Sequence, residues 1–458
     1  MKRRLALALA ANLVASLPLR AQGPLAPPGA PAPTMKTLDQ IEPRKEVNAS
    51  NTPGDAANVF IINQPGSYYL AGNITGVGTR NAISVQADDV TLDLNGFSII
   101  AANVGTVRGI IVSGAHRNLH VHHGTVRNAV IGIDAALAVS SIFEHLRISN
   151  NGGDGLITGA GALVESCTSL DNIGDGIQVA ARSIVRHCTA SGNDGGAGIL
   201  AGSYCHVSNC TSSENDAASG ISVGFSSVVI GCVADSNAST GITNGGSSQA
   251  TMKDCSASNN EGTGIFAGNS STVSGCTAIS NTGNGITAGG NSTVINCQAR
   301  DNTSNGLNAN GSIFNCSASG NTLDGIRAFG GSSNVANCTS TSNTGNGIRL
   351  EGRSIASGNT CVGNGSAGDA AGILSTGSED RIEGNNVAAN DRGIEVIGTG
   401  CLILRNSASA NTSNYEIAAS NRYGVILDLT AAGSAAVSGN AAAGTLTTTT
   451  NPWANFAY

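Results

Sequence analysis

The sequence predicts an all-β parallel solenoid with three short strands in each coil of ~21–22 residues. Three observations carry this. Nine cysteines recur at intervals of 19 to 23 residues: Cys167, Cys188, Cys210, Cys232, Cys255, Cys276, Cys297, Cys316 and Cys338. Each is followed five residues later by an asparagine: Asn172, Asn193, Asn215, Asn237, Asn260, Asn281, Asn302, Asn321 and Asn343. Prolines are confined to the ends, with all ten at or before Pro65 except Pro452, as expected if nearly every intervening N–H serves a strand ladder. A repeat of this length is one turn of a solenoid, in which each turn touches only its neighbours.

Composition supports the same architecture. Only 3% of residues are aromatic, which excludes a globular core of large side chains and suits a narrow interior of Val, Ile, Ala and Cys. No stretch sustains apolar spacing of three and four over a dozen residues, so helical repeats are excluded.

Taken in order, Met1 to Arg4 is basic, Leu5 to Leu17 is apolar, and Ala21 is a small residue suited to cleavage. Residues 1–21 are therefore expected to be an export signal, too short and interrupted for a spanning helix. Its loss removes Lys2, Arg3, Arg4 and Arg20 and moves the net charge from −7 to −11. So acidic a chain has no electrostatic case for nucleic acid or an anionic membrane. The expected location is secreted, periplasmic or cell-surface. Residues 22–34 read as a Pro/Ala-rich linker and 35–65 as a cap with a short helix near Thr37 to Ile41. Coils are expected over 66–440, then a tail (441–458) with room for a cap or a pairing strand.

With cysteine as position zero, the coil consensus can be written out. Apolar residues stand at −11 (Ile177, Ile286) and −3 (Val207, Val229, Val273, Val294), and small ones at +2 (Ala190, Ala257, Ala299). Position zero runs from Leu146 through the cysteines to Asn359, Asn385 and Asn406. Position +5 is asparagine from Asn151 through Asn364, Asn390 and Asn411. Alternation at zero and +2 is strand periodicity, while the offset of three before zero requires a corner. The result is a triangular cross-section. Parallel coils stack ~4.8 Å apart, so an inward asparagine can bond to backbone and to the next asparagine. The glycine before each Ile, such as Gly176 or Gly285, is expected to supply a positive φ.

Twelve cysteines in an exported chain favour disulfides by habit. Identical positions on adjacent parallel strands, however, lie near the short limit of bridgeable distance with Cβ vectors parallel. Buried reduced thiols acting as small hydrophobes are the favoured reading. Cys205, Cys361 and Cys401 stand outside the column, and a bridge to Cys205 stays open.

The asparagine column, repeats such as Asn281-Thr-Gly-Asn-Gly-Ile286, and the entry segments Pro65 to Asn73 and Val90 to Gly96 together resemble one family. The chain is similar to right-handed parallel β-helices of the pectin-lyase-like superfamily over roughly residues 57–440. That superfamily includes pectate lyases, polygalacturonases, alginate epimerases, phage tailspikes and adhesins, so the resemblance implies fold more than activity. The superfamily's Asn-Thr-Asp, Gly-His-Gly, Arg-Ile-Lys and Asp-Pro-His motifs are absent, and Asp88-Asp89 alone stands at a strand entry.

One constellation stands out. Six of the seven histidines fall between residues 116 and 187. The repeat places His123, His145 and His187 at position −1, Glu144, Glu165 and Arg186 at −2, and Arg147 at +1. Stacked Glu144 and Glu165 would lie ~5 Å apart, near the spacing of a retaining glycosidase pair. Arg147 and Arg186 suit a substrate carboxylate, and His145 or His187 a base. Asp154 and Asp175 share a pre-glycine turn position, an ordinary use of aspartate that also makes them the candidate calcium site. No other cofactor is predicted. Later coils carry an outward hydroxyl row (Thr168, Thr189, Thr211, Thr277), which reads as soluble β-surface.

Three classes of function follow. A non-catalytic carbohydrate-binding or structural surface module is favoured, with a polysaccharide or cell-surface glycan as partner. A lyase, epimerase or hydrolase acting through the 120–190 patch is the alternative, and a periplasmic metal-binding protein the third.

Overall fold

The computed structural model describes residues 44–365, 368–428, 437–438 and 451–458. The expected leader, the linker and the Thr37 to Ile41 helix lie outside the described residues, as do 441–450 of the tail. Three parallel sheets form the walls, and no helix occurs among the described residues. The first sheet collects the strands after each glycine, such as Ile177–Val179 on Ile199–Ala201. The second collects strands such as Leu163–Glu165 on Ile184–Arg186. The third collects those after position zero, such as Thr168–Leu170 on Thr189–Ser191. Lys45–Glu46 and Asn58–Ile62 already pair into these ladders, N-terminal to Gly66.

Each corner is made by a left-handed residue. At position −1 the φ angles are 52° for Ser166, 54° for His187 and 52° for Asn209. At +4 they are 53° for Asp171, 54° for Glu214 and 55° for Asn259. Ser, Asn, Asp and Gly recur at these points because bulkier or branched residues tolerate this region poorly.

The asparagine column is continuous. Nδ2 of Asn151, Asn215 and Asn260 donates to Oδ1 of the next asparagine at 2.7, 2.7 and 2.9 Å. The same oxygens accept the backbone N–H of the preceding coil, as from Asn237 to Asn260 at 3.1 Å. From Asn151 to Asn343 every such side chain is buried, so each bond satisfies a group that water cannot reach.

Glycine before the Ile has a different purpose from the one expected. Gly176, Gly264 and Gly285 are not among the positive-φ residues. A Cβ on Gly264 would instead lie 2.6 Å from Asn281 Nδ2 and 2.7 Å from the Gly285 carbonyl oxygen. Close approach to the next coil, not backbone handedness, excludes a side chain there.

All twelve cysteines are free and buried, Cys205 included. Column thiols lie within reach of backbone carbonyls, for example Cys188 Sγ at 3.3 Å from Arg186 O. Hydrogen bonding to the Cys188 thiol and burial push Cys210 up to about 12, and burial, with a smaller contribution from Cys338, raises Cys361. Cys210 and Cys361 therefore stay protonated and inert. At the far end Asn359, Asn385 and Asn406 take over position zero, and Asn455 from the returning tail accepts from Asn406 Nδ2 at 3.2 Å. Tail strand Asn455–Ala457 pairs with Ser407–Ser409, and Tyr415 Oη donates toward the Phe456 carbonyl at 2.9 Å.

Candidate functional site

The early coils run two long strands, His120–Arg127 and Ile142–Ser149, straight through the second corner. Their register stacks Asp93, His122, Glu144, Glu165 and Arg186 in one row at the edge of the second sheet. His123, His145, Ser166 and His187 form the corner row beside it, with φ between 52° and 56°. The repeat spacing predicts the corner row and the run from Glu144 to Arg186; Asp93 and His122 extend that run beyond it.

Within the rows the charges pair. Arg186 donates to Glu165 Oε2 at 2.7 Å, and His187 Nδ1 lies 3.8 Å from Glu165 Oε1. The guanidinium holds the Glu165 carboxyl below the usual carboxylate range, and Glu165 raises Arg186 in return. Glu144 Oε1 lies 2.9 Å from His120 Nε2. The two glutamates are neighbours, but each is engaged by a different partner. A glycosidase acid needs a raised pKa, and Glu165 is shifted the opposite way. Arg147 is not brought to this group: it lies past the corner, exposed on the third sheet between Thr125 and Thr168.

Histidines that the position −1 row does not contain complete the patch. The His120 and His122 rings are 4.5 Å apart, His122 and His123 4.7 Å, and His123 stacks on His145 at 5.1 Å. Burial pushes His122 down, so its imidazole is neutral at neutral pH. Asp93 Oδ1 lies 3.5 Å from His122 Nδ1 and 4.0 Å from His123 Nδ1, while Arg44 binds its other oxygen at 2.6 Å. Asp93 sits in an irregular early coil, before the consensus begins at residue 146.

Asp154 and Asp175 serve the backbone. Asp154 Oδ1 accepts the Asp175 N–H at 2.7 Å, and Asp175 Oδ1 accepts the Ala197 N–H at 2.6 Å. Burial, opposed by the Ala197 bond and assisted by Asp154, raises Asp175. Later coils do the same with amides, as Asn305 Oδ1 accepts from Asp324 N at 3.1 Å. This capping row accounts for both aspartates without a cation.

A second feature lies near the C-terminal end of the second sheet. Strands Arg381–Glu383, Leu402–Leu404 and Arg422–Tyr423, with Trp453 of the tail, line a groove of about 430 Å³. The Arg405 guanidinium lies 4.6 Å from the Trp453 ring centre, and the indole is 46% exposed. Glu383 is bound by Arg381 at 2.5 Å and by Arg405. Arg422 pairs with no carboxylate among the described residues. The one signal in the sequence was a single tryptophan in an aromatic-poor chain.

Comparison with known proteins matches residues 71–212, 194–303 and 246–378 to the right-handed beta helix region family. No curated protein matches the sequence. Among solved structures, the Azotobacter vinelandii mannuronan C-5 epimerase AlgE4 A-module is 12% identical, covering 82% of this chain and 87% of its own, with TM-score 0.33. The tailspike of E. coli bacteriophage HK620, solved with a pentasaccharide, is 12% identical over 92% of this chain and 79% of its own, with TM-score 0.32. A Streptococcus pneumoniae surface adhesin, PfbA, is 10% identical over 75% of this chain and 82% of its own, with TM-score 0.25. Likenesses this distant carry no chemistry to this chain.

Proposed function

Because the chain belongs to the right-handed β-helix family, we propose that it is an exported solenoid that binds an acidic polysaccharide without cleaving it. The observation that carries this is the C-terminal groove, where Arg422 stands beside Tyr423 and the half-exposed Trp453. Aromatic faces stack on sugar rings, and a guanidinium that pairs with no carboxylate among the described residues suits a uronate carboxylate. Two features support the non-catalytic half: Glu165 is held as an anion, and Arg147 is turned away from Glu144 and Arg186. The basic and apolar residues from Met1 to Leu17 support export.

Fluorescent oligouronates titrated into the full chain test the reading. Binding is expected, with Arg422→Ala weakening it about tenfold or more, as for loss of a charged hydrogen-bonding partner. Neutral dextran should not compete. Equal affinity for dextran, or no effect of Arg422→Ala, sinks the proposal. Release of unsaturated or reducing ends would transfer the function to Glu165, Arg186 and His187, and Glu165→Gln would then abolish it.

A further inference from the structure

We propose that Asp93, His122 and His123 form a binding site for a divalent transition-metal ion of the zinc class. Asp93 Oδ1, His122 Nδ1 and His123 Nδ1 all lie within 4.8 Å of one another. Their separations are 2.7 Å between the imidazole nitrogens, 3.5 Å from Asp93 to His122, and 4.0 Å from Asp93 to His123. Ligands ~2.0–2.2 Å from a tetrahedral ion stand ~3.3–3.5 Å apart, in the middle of that range.

Sequence neighbours on a strand normally point to opposite faces. Here the left-handed φ of 56° at His123 turns the corner between them, so both imidazoles reach the outside. Parallel register then brings Asp93 of the preceding coil alongside His122.

The surrounding groups fix the ligand atoms. Arg44 holds Asp93 Oδ2 at 2.6 Å, and the Asn95 N–H donates to Oδ1 at 2.8 Å, leaving that oxygen a further lone pair. His145 stacks on the outer face of the set against His123, and Glu144 holds the adjacent His120. Asp93 and His122 side chains are only 13% and 14% exposed, while His123 is 55% exposed, giving covered ligands and an open mouth. Without an ion, one Nδ1–H must donate to the other Nδ1. A metal takes both Nδ1 lone pairs, so that proton moves to Nε2 of its own ring, and binding weakens as pH falls because protonation of either ring competes with the ion. Two imidazoles and one carboxylate suit zinc, copper or nickel rather than calcium.

The test titrates Co²⁺, then competing Zn²⁺, into untagged full-length protein freed of metal by a chelator. One equivalent is expected per chain, with weak visible bands and no intense near-ultraviolet sulfur-to-cobalt transition. His122→Gln should weaken binding by at least the ~10–100-fold that even an outer-shell change costs. His123→Asn should do the same while keeping a residue that tolerates the left-handed corner. Asp93→Asn is a third variant, and His187→Gln, four rungs away from Asp93 in the stack, should bind normally. The proposal is overturned if no stoichiometric binding occurs, if a thiolate transition appears, or if affinity survives the His122 and His123 substitutions.

Discussion

At position +5 each asparagine from Asn151 to Asn390 is tied to the next by two hydrogen bonds, amide to amide and backbone to amide. At position zero neighbouring coils meet through long contacts to sulfur: N–H to Sγ at 3.5 Å from Cys255 to Cys276 and from Cys316 to Cys338, and thiol to carbonyl at 3.5 Å from Cys276 back to Met252. Where asparagine takes over position zero, the same approach shortens: Cys338 N–H reaches Asn359 Oδ1 at 2.9 Å. Both columns fill a corner of one triangle. The asparagines fix register by pairing, since a slip would strand buried amides. The cysteines fill volume, and sulfur serves where only a small apolar group is needed.

Breaking the asparagine column should have the largest effect. Asn260→Ala leaves the Asn237 backbone N–H and one of its two side-chain N–H groups without an acceptor, the other keeping the Ser212 carbonyl, and removes side-chain donors to Asn281 Oδ1 and the Ala234 carbonyl. At about 1–3 kcal/mol per stranded buried group, a loss of about 3 kcal/mol or more is expected in urea unfolding. A loss below about 1 kcal/mol would remove the register role from this column.

Cys276→Ala should cost less, about 1 kcal/mol, because it deletes one buried sulfur's volume and a weak donor. The same comparison predicts that all twelve thiols titrate with a thiol reagent in denaturant and almost none in the native protein. A denatured count near zero would replace the space-filling column with a disulfide framework.

Cys338→Asn sharpens the contrast further. It extends the asparagine run by one coil, offering the Cys316 N–H an oxygen and Asn359 Oδ1 a second donor. A change within about 1 kcal/mol is expected, the extra pairing offsetting the desolvated amide. A collapse in stability would show that sulfur is required there for its shape.

The smallest effect lies on the surface. Arg186 depresses Glu165, so this pair adds stability above the unfolded carboxyl pKa and loses it as pH falls through the folded one. Arg186→Ala should move the Glu165 titration, followed by carboxyl-carbon NMR, up toward that of an unpaired glutamate. No movement would mean the pair is absent in solution.

Much of this was legible in the repeat. Constant spacing set the register, which is why Glu144 over Glu165 and His145 beside them follow from counting alone. Two things resisted counting. Gly264 looks like a turn glycine, yet its constraint comes from Asn281 one coil away, a contact no local pattern contains. His122 and His123 look like opposite faces of a strand until a left-handed corner falls between them. The Arg422 groove depended on residues about 50 positions apart in sequence, because Trp453 returns with the tail against Arg405.

The unbroken ladder of the second sheet also makes the molecule a ruler. Fourteen ladder steps separate His122 from Arg422 through successive strands. At ~4.8 Å per step the span is roughly 65 Å. Whole coils can be removed or added without disturbing the asparagine pairing, so that distance is adjustable in increments of one strand spacing, and only in those increments.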